Sequence, residues 1–482
     1  MPAEAPFIEA PFIEAPFVGT PFVEAPFVES RLSFGQLYSW REVDSYPTGW
    51  KSEANLPATW DVRGFSRDRI EGALGKLFDW HELLRTTYHL RDGMPVQRVH
   101  EDLTPPIERV RRIITSRRDA ERTTAELIAI PFPMTGGLCW RGQLVSWGGK
   151  PVFLSLSFSH LIFDVWSVQE LHTQFRGLLA DPDDPAIARR VGPSPRQLAD
   201  EQRSEAGERR QQSAEGYWQR MLAEPGIQLP VLPAGTERNR IQATLTSAQL
   251  SAQTAGAARA LGVTPPAVLA ALVAAGLSRQ LAADRVVLSL MSSNRFAPEH
   301  RHVVGTMNQL IPVAVNVEAG EPLGELIKRL HWAGAKAYRY SCYDLDRIAA
   351  LAGSADGTGR GFNDLFQCWF NYLQLDDQPA DRADRRPAEL VWTPQARQYG
   401  QPFDVRVTAR DGRTSLALRV DPEVIPAGGL LDILRLVATG VRQAVVDPRA
   451  GVSSLWSGHG VELPTSLFPR RLPAPPASKA AA

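Results

Sequence analysis

Helical and strand periodicities alternate along this chain from residue 33 onward, and this alternation restricts the folds open to it. Apolar side chains in residues 66–82 recur at the spacing of one helix face, and Ser66 is placed to cap that helix. A continuous apolar strand at 152–158 then leads through a short loop into an amphipathic helix at 167–179. Helices that alternate with strands pack over sheets in α/β folds. The pattern therefore predicts an α/β protein with mixed α+β sheets.

The second half of the chain repeats this alternation. It predicts an Ala-rich helix at 265–281 and strands at 285–291, 311–316 and 368–373. A chain of 482 residues is also long enough for more than one folding unit. We therefore expect a first lobe at residues 31–185, a linker at 186–216 and a second lobe at 217–468.

The segments between these elements are distinct in composition. Residues 181–216 carry a run of Arg, Glu and Gln, which favours a charged linker with a solvated helix. Residues 353–361 and 376–386 are poor in apolar residues, which is typical of mobile loops. The last residues, 469–482, contain four prolines and terminal alanines and are predicted to be a disordered tail.

The first thirty residues consist largely of five pentads that follow the pattern Ala-Pro-Phe-Ile/Val-Glu, with Gly19 and Thr20 as departures. A proline at every fifth position excludes a helix and a central strand, so residues 1–30 are predicted to be extended or disordered and outside the fold. Two interpretations remain open. The five phenylalanines form a docking strip for a partner groove, or the repeat is an expansion without function.

Composition narrows the class of partner. The 53 basic and 53 acidic residues balance, so no long-range field attracts nucleic acid or an anionic membrane. No run approaches the roughly 18 apolar residues of a membrane span, and the N-terminus lacks a basic segment followed by an apolar one. We expect a cytoplasmic protein with no nucleic-acid or membrane partner.

Cysteine usage indicates neither disulfides nor a metal centre. Cys139, Cys342 and Cys368 show no CxxC and no metal-ligand spacing, which favours buried thiols in a reducing compartment. The sequence predicts no metal site.

A candidate catalytic loop follows the strand at 152–158. His160 stands four residues before Asp164, where a strand delivers side chains to a loop. Taken alone, His-x-x-x-Asp is a weak signal, because a lone histidine beside an apolar strand is more often structural.

Further elements give this loop specificity, and each resembles an element of one family. They are Ser33, Gln36 and Trp40, with Gly35 and Tyr38, for S-x-A-Q-x-R-L-W; residues 80–88 for R-H-E-x-L-R-T-x-F; residues 92–97 for D-G-x-P-x-Q; Tyr217-Trp218; Asn294-Arg295 for G-R; and residues 304–314 for I-G-x-F-x-N-x-x-P-L-R. Six elements in this order are very unusual by chance. The chain resembles a stand-alone condensation domain of the nonribosomal peptide synthetase type, whose signature HHxxxDG is present as Ser159-His160-x-x-x-Asp164-Val165.

The resemblance implies two chloramphenicol-acetyltransferase-like lobes in a V-shaped arrangement, with the active site at their junction. It implies that His160 orients a nucleophile and accepts its proton, and that Asp164 pairs with Arg295 to hold the loop. His81, at the end of a helix, corresponds to a structural histidine of the family.

The signature departs from the family at several positions. Ser159 replaces a histidine that positions the loop, and its hydroxyl retains hydrogen-bonding capacity. Val165 replaces a glycine, which predicts a steric conflict if backbone must adopt φ > 0 or approach the substrate closely. Gln309 and Ala314 replace the usual Asn and Arg. The substrate channel is expected to be lined by Ser159, Val165, Trp166, Ser167 and Gln309.

Two functions follow from the resemblance. The first is an acyltransferase that joins a phosphopantetheine-bound acyl or peptidyl group to an amine or hydroxyl in specialised-metabolite (antibiotic-type) biosynthesis. Its partners would be an acyl or peptidyl carrier protein in trans and a small-molecule nucleophile. It would bind no cofactor, because the phosphopantetheine arrives on the carrier. The second is a catalytically degenerate module that recruits another protein to a nonribosomal peptide assembly line.

Overall fold

Two sheets form the first lobe. The computed structural model describes residues 26–46, 48–101, 103–224, 229, 240–356, 365–375, 386–393, 401–456 and 462–464. The first-lobe strands are β1 (Phe27–Arg31), β2 (Asn55–Asp61), β3 (Thr86–Arg91), β4 (Met94–His100), β5 (Ile107–Arg111), β6 (Trp140–Trp147) and β7 (Lys150–Ser159). They pair in the orders β1-β4-β3 and β2-β7-β6-β5. Its helices are α1 (Phe34–Asp44), α2 (Arg67–Trp80), α3 (Arg117–Ile128) and α4 (Val165–Ala180).

Each first-lobe helix begins at a residue suited to capping. Ser33, Ser66 and Ser116 accept hydrogen bonds from the first turns of α1, α2 and α3, and Asp164 does so for α4. Inside the lobe, apolar side chains alternate along β7 and pack against α2 and α4 in one core: Leu154, Leu156 and Phe158. The capping and alternation that the sequence shows therefore determine where these elements lie.

Three helices lead from the first lobe to the second: α5 (Pro185–Ala188), α6 (Pro195–Gln202) and α7 (Glu205–Ala223). The outer face of α7 is charged, and its inner face buries Tyr217 and Trp218. The Tyr217 hydroxyl donates to the Pro312 carbonyl at 2.5 Å, which attaches α7 to the second lobe.

A seven-stranded mixed sheet forms the second lobe, in the order β10-β9-β11-β13-β14-β8-β12. Its strands are β8 (Ile241–Ser247), β9 (Arg285–Ser292), β10 (Gln309–Asn316), β11 (Cys368–Gln374), β12 (Glu389–Thr393), β13 (Phe403–Arg410) and β14 (Arg413–Val420). Its helices are α8 (Ala248–Leu261), α9 (Pro265–Leu281), α10 (Leu323–Tyr338), α11 (Leu345–Asp356) and α12 (Ala427–Val446). Helix α9 is buried along most of its length, and α8, α10 and α12 pack around it.

Most predicted elements are confirmed to within a few residues. They include the helix at 265–281 and the first-lobe helix α2, which Ser66 caps. The loop predicted at 353–361 is wrong for residues 353–356, which end α11, and the remainder lies outside the described residues. The loop predicted at 376–386 lies outside them except for residue 386, and the tail at 469–482 lies wholly outside.

The N-terminal boundary is also wrong. We predicted residues 1–30 to lie outside the fold, but Phe27–Arg31 form β1, which pairs antiparallel with β4. Proline at the start of an edge strand removes no hydrogen bond that the sheet needs, so Pro26 is compatible with β1. Residues 1–25 lie outside the described residues.

The two lobes share helix α1. Leu37 and Trp40 belong to the first-lobe core, while Tyr38 belongs to the second-lobe core. Gly35 packs so closely on the loop between β9 and β10 that an added Cβ would lie 2.3 Å from Thr306 O and 2.6 Å from Met307 Cα. The usual alanine of this element is therefore sterically excluded here.

Gly35→Ala should destabilise the protein by about 1–3 kcal/mol, the usual cost of overpacking, because the obstructing atoms are backbone. Gly72→Ala is the matched control. Gly72 is also a helical glycine, but an added Cβ would meet nothing within 4 Å, so this change should stabilise by up to about 1 kcal/mol. Equilibrium denaturation of both variants measures the difference. Equal effects of the two changes would contradict the close approach.

Among the described residues, no single helix is long and apolar enough to cross a membrane. One bent pair, α8 with α9, meets that criterion by length and composition alone.

Candidate active site

His160 lies in the turn that follows β7. Its backbone N–H donates to Ala54 O at 2.7 Å. Ile162 and Phe163 both donate their backbone N–H groups to Ser159 O at 3.1 Å, which closes the turn. The His160 side chain is half-buried, and its Nδ1 is buried without a hydrogen-bond partner among the described residues. The backbone of the turn therefore holds His160 in place, and no described side chain is hydrogen-bonded to its Nδ1.

Asp164 ends the turn and caps helix α4. Its Oδ1 accepts hydrogen bonds from the backbone N–H and the hydroxyl of Ser167, both at 2.8 Å. Arg295 donates Nη1 to Oδ2 at 2.8 Å and Nη2 to Oδ1 at 3.0 Å. The Met307 backbone N–H donates to Oδ2 at 3.0 Å. The carboxylate is thus bound by groups from both lobes, and its side chain is only 1% exposed.

This ion pair is ionised at neutral pH. Burial alone would raise the pKa of Asp164, but the charge and hydrogen bonds of Arg295, with those of Met307 and Ser167, hold the pKa below its ordinary value. The bidentate geometry is the one that arginine and carboxylate favour. Arg295 also donates Nη2 to Gly305 O at 2.8 Å, so the pair fixes the second-lobe loop as well as the His160 turn.

Three of the five predicted channel residues do not line a channel. Ser159 is buried, and its hydroxyl accepts from Leu161 N at 3.2 Å. Ser167 is fully buried, and its hydroxyl contacts Asp164, Arg295 and Gly305. A small hydroxyl next to the motif resembles a channel residue in sequence, but here it satisfies buried polar groups.

Gln309 is the third correction. It is fully buried, its Nε2 donates to Tyr343 O at 2.8 Å, and its Oε1 accepts from Asn294 Nδ2 at 3.3 Å. Asn294 also donates to Met307 O at 2.8 Å and has φ of 53°. Asparagine is among the few residues other than glycine that tolerate this left-handed region, which explains Asn at the glycine of the G-R element. We did not assign Asn294 a role from sequence, although its place in that element was the available signal.

Val165 and Trp166 are the two channel candidates that retain partial exposure. Val165 is the first residue of α4 and is not among the described residues with positive φ. A positive φ is therefore not required at Val165, and a conflict from close approach of the backbone to the substrate stays a prediction. At the start of a helix, its N–H and that of Trp166 have no acceptor within the helix. Only the bulk of the valine side chain remains as a departure from glycine.

Other reactive side chains lie outside this site. His81 is buried at the end of α2, and its Nε2 lies 2.7 Å from Gln174 Oε1. Burial raises the pKa of the Cys139 and Cys368 thiols to about 12 and that of Cys342 to about 11. These cysteines are therefore protonated and poorly nucleophilic at neutral pH. Within the described part of the chain, no group of three or more His, Cys, Asp or Glu side chains is arranged to hold a metal ion.

A cavity of about 580 Å³ lies where the lobes meet. Its wall includes Phe34 of α1, Tyr338 of α10, and Asn294 and Met307 from the loop that binds Asp164. A smaller cavity of about 210 Å³ lies between α9, α10 and the second-lobe sheet. His160 lines neither of these two cavities. Met307, in the wall of the larger cavity, donates its backbone N–H to Asp164 at the end of the His160 turn.

Comparison with known proteins identifies the family of this arrangement. Residues 30–422 match the family model of the condensation domain. The phosphinothricin tripeptide synthetase PhsC of Streptomyces viridochromogenes is 30% identical over 332 residues, which cover 66% of this chain and 30% of that protein. The beauvericin nonribosomal cyclodepsipeptide synthetase of Beauveria bassiana is 25% identical over 322 residues, 63% of this chain and 10% of that protein. The chain thus spans less than a third of each of these relatives.

Solved structures share the fold. A condensation domain that mediates chain release from the enacyloxin polyketide synthase superposes with a TM-score of 0.69 at 18% identity, covering 89% of this chain and 85% of that one. The starter condensation domain of rhizomide synthetase, in a variant solved with C8-CoA, gives a TM-score of 0.66 at 18% identity, covering 90% of this chain and 98% of that one. The predicted α/β fold is therefore confirmed.

Proposed function

The chain belongs to the condensation-domain family, and on this premise we propose that it is an acyltransferase with His160 as its general base. Its reaction would join a carrier-bound acyl or peptidyl thioester to an amine or hydroxyl nucleophile. The observation that carries the proposal is the position of His160. Its half-buried imidazole lies on a turn that both lobes bind, and no described residue is hydrogen-bonded to its buried Nδ1. The partly exposed side of the imidazole, and not the buried Nδ1, is the part that is open to a substrate.

The nucleophile attacks the thioester carbonyl carbon while an imidazole nitrogen of His160 accepts its proton. Because Nδ1 is buried, we assign that role to Nε2. The carbonyl oxygen becomes negative in the tetrahedral intermediate, and the free N–H groups at the start of α4 are candidate donors to it. The C–S bond then breaks, and the departing phosphopantetheine thiolate takes the proton from His160.

Asp164 and Arg295 would act as positioning residues in this proposal. Both oxygens of the Asp164 carboxylate accept hydrogen bonds, from Ser167, Arg295 and Met307, and the group is almost wholly buried. It does not face a substrate. Its proposed role is to keep the His160 turn and the second-lobe loop in register, so that a base from one lobe meets substrate bound between the two.

The proposed substrates follow from the family and not from identified pockets. A carrier protein supplied in trans would deliver the phosphopantetheine thioester, and the chain itself would bind no further cofactor. The C8-CoA on the rhizomide starter domain supports a thioester donor. The cavity of about 580 Å³ at the lobe junction is our candidate for the approach of one substrate, because Met307 in its wall donates a hydrogen bond to Asp164, which ends the His160 turn.

Val165 supports a second function, a degenerate module that recruits a partner to an assembly line. Its side chain is half-buried at the start of α4, next to the proposed oxyanion donors, where the family has glycine. Intact-protein mass spectrometry of acylated carrier proteins incubated with this chain and candidate nucleophiles distinguishes the two functions. We expect loss of the acyl group from a carrier together with formation of an amide or ester product. Binding of a carrier without acyl loss, across a panel of carriers, would favour recruitment.

Val165→Gly tests whether the valine side chain obstructs the acyl thioester. If it does, turnover of bulky acyl carriers should rise, because both the methyl groups and Cβ are removed. Val165→Ala is the matched control, since it removes two methyl groups while keeping the helix propensity of the first turn. Turnover should rise in both variants if bulk is the obstacle. An equal or lower rate in both would show that the site is adapted to valine.

A further inference from the structure

Strand β1 is held at the edge of its sheet by two of its side chains. Glu29 accepts hydrogen bonds from Arg98 Nε at 2.9 Å and from Arg91 Nη1 at 2.8 Å. The Arg98 guanidinium also lies 4.6 Å from the centre of the Phe27 ring, and that ring lies 6.0 Å from His100. Arg98, and then Arg91, hold the pKa of Glu29 below its ordinary value. The strand therefore presents a Phe and a Glu, two residues apart on one face, to a basic surface.

The backbone contacts of β1 do not depend on which side chains the strand carries. Phe27 and Val28 are exposed, and Val28 contributes little to any core. Pro26 O accepts from Glu101 N at 3.2 Å, and Arg31 O accepts from Gln97 Nε2 at 2.9 Å. Backbone pairing of this kind is open to any extended segment of suitable register. The selective part of the contact is thus the Phe and the Glu.

The same side chains recur upstream at the same spacing. Strand β1 begins with the last three residues of the fifth pentad, Phe27-Val28-Glu29, which follow Pro26 and stand directly before Ser30. The fourth pentad repeats Pro-Phe-Val-Glu, and the first and second read Pro-Phe-Ile-Glu. In the third pentad, Gly19 replaces the Glu, so that copy lacks the carboxylate.

We propose that the outer edge of β4, with Arg98 and His100 of β4 and Arg91 from the end of β3, is a binding site for the Pro-Phe-Ile/Val-Glu motif. The fifth pentad fills this site, and the other pentads that end in Glu are interchangeable ligands for it. Strand β1 is then one copy of a repeated ligand, and its identity depends on which pentad stands next to Ser30. An upstream pentad can therefore take the place of β1 in the sheet. This role differs from both earlier interpretations of the repeat, a docking strip for a partner and an expansion without function.

Deletions of whole periods in the otherwise full chain test this proposal. Each deletion places a different pentad directly before Ser30: removal of 25–29 installs Pro21-Phe22-Val23-Glu24, removal of 20–29 installs Pro16-Phe17-Val18-Gly19, and removal of 15–29 installs Pro11-Phe12-Ile13-Glu14. Hydrogen exchange of residues 96–101 reports how firmly β4 is covered. Removal of 26–29 is the control for register, because it shifts Glu24 by one position and onto the opposite face of the strand.

We expect the rate of hydrogen exchange in β4 to depend on which pentad stands before Ser30, and not on the number of residues removed. Exchange in β4 should match the full chain after removal of 25–29 and again after removal of 15–29. It should be about three- to tenfold faster after removal of 20–29, which loses both ion pairs of Glu29, and after removal of 26–29. Exchange that rises steadily with deletion length would overturn the proposal. An unchanged exchange rate after removal of 20–29 would also overturn it, because the carboxylate would then play no part in the recognition of the motif.

Discussion

Replacing His160 with alanine should lower turnover of an acylated carrier by about 10²–10⁴-fold, the usual contribution of a positioned general base. The fold should survive, because the ring forms no hydrogen bond to a described residue at its buried Nδ1 and the turn is held by the backbone of Ser159 and Ala54. Rates from single turnovers, measured as acyl loss by mass spectrometry, check the effect on the chemical step. Thermal unfolding checks the fold.

His160→Gln is the matched control for this experiment. Glutamine keeps a polar side chain of similar reach that can hydrogen-bond a substrate, but it cannot accept the proton at neutral pH. We expect the two variants to lose rate to a similar extent if proton transfer is the role of His160. A glutamine variant that retains most of the rate would show that the residue only orients the nucleophile. Wild-type rates in both folded variants would reject the catalytic assignment.

The elements that the sequence predicted well depend on local rules. Helix α9 was located to the residue because prolines start it and its apolar run is long, and α2 because Ser66 caps it. His160 and Asp164 were found because a strand and a helix flank them. Such signals lie within one element, so no knowledge of the neighbouring lobe is needed to interpret them.

The errors arise where a side chain is satisfied by a distant part of the chain. Ser167 and Gln309 resemble channel residues until Gly305 and Tyr343 are seen to occupy their polar atoms. Gly35 appears as a neutral departure until the backbone at Thr306 is seen to fill the space of its Cβ. Strand β1 was missed for the same reason, because Arg98 and Arg91, which hold Glu29, lie more than sixty residues away. Contacts between distant parts of the chain leave no periodic pattern in the local sequence.

The Asp164–Arg295 pair should account for the largest loss of stability from single substitutions at this site. Removing one partner of a buried ion pair leaves the other charge uncompensated and typically costs about 3–5 kcal/mol. We expect Asp164→Ala to cost more than Arg295→Ala. The aspartate also caps α4, whereas without Arg295 its carboxylate would keep the N–H groups of Ser167 and Met307. The double variant should lose less than the sum of the two single losses, and denaturant unfolding of all four proteins measures the coupling.

The exposed pair of Arg117 and Glu121 on α3 is the control for this cycle. Its two side chains are 64% and 54% exposed, so its coupling should be only about 0.3–0.5 kcal/mol. Strict additivity at Asp164 and Arg295, or a coupling as small as that of the control, would show that the buried pair does not act as a unit.

The stability that this pair contributes should depend on acid pH in a defined direction. The pKa of Asp164 is lower in the folded protein than its ordinary value of 3.8, so the unfolded chain takes up the proton first as the pH falls. The contribution is therefore complete above about pH 5 and is lost as the pH falls through the lowered folded-state pKa. Asp164→Asn cannot titrate and keeps an N-cap oxygen, so it should be less stable at neutral pH but lose less of its remaining stability between pH 5 and pH 3. If wild type and Asp164→Asn lose stability in parallel across this range, the carboxylate is not ionised in the folded protein. Arg295 would then donate to a neutral carboxyl group, and hydrogen bonds without an ion pair would join the His160 turn to the second-lobe loop.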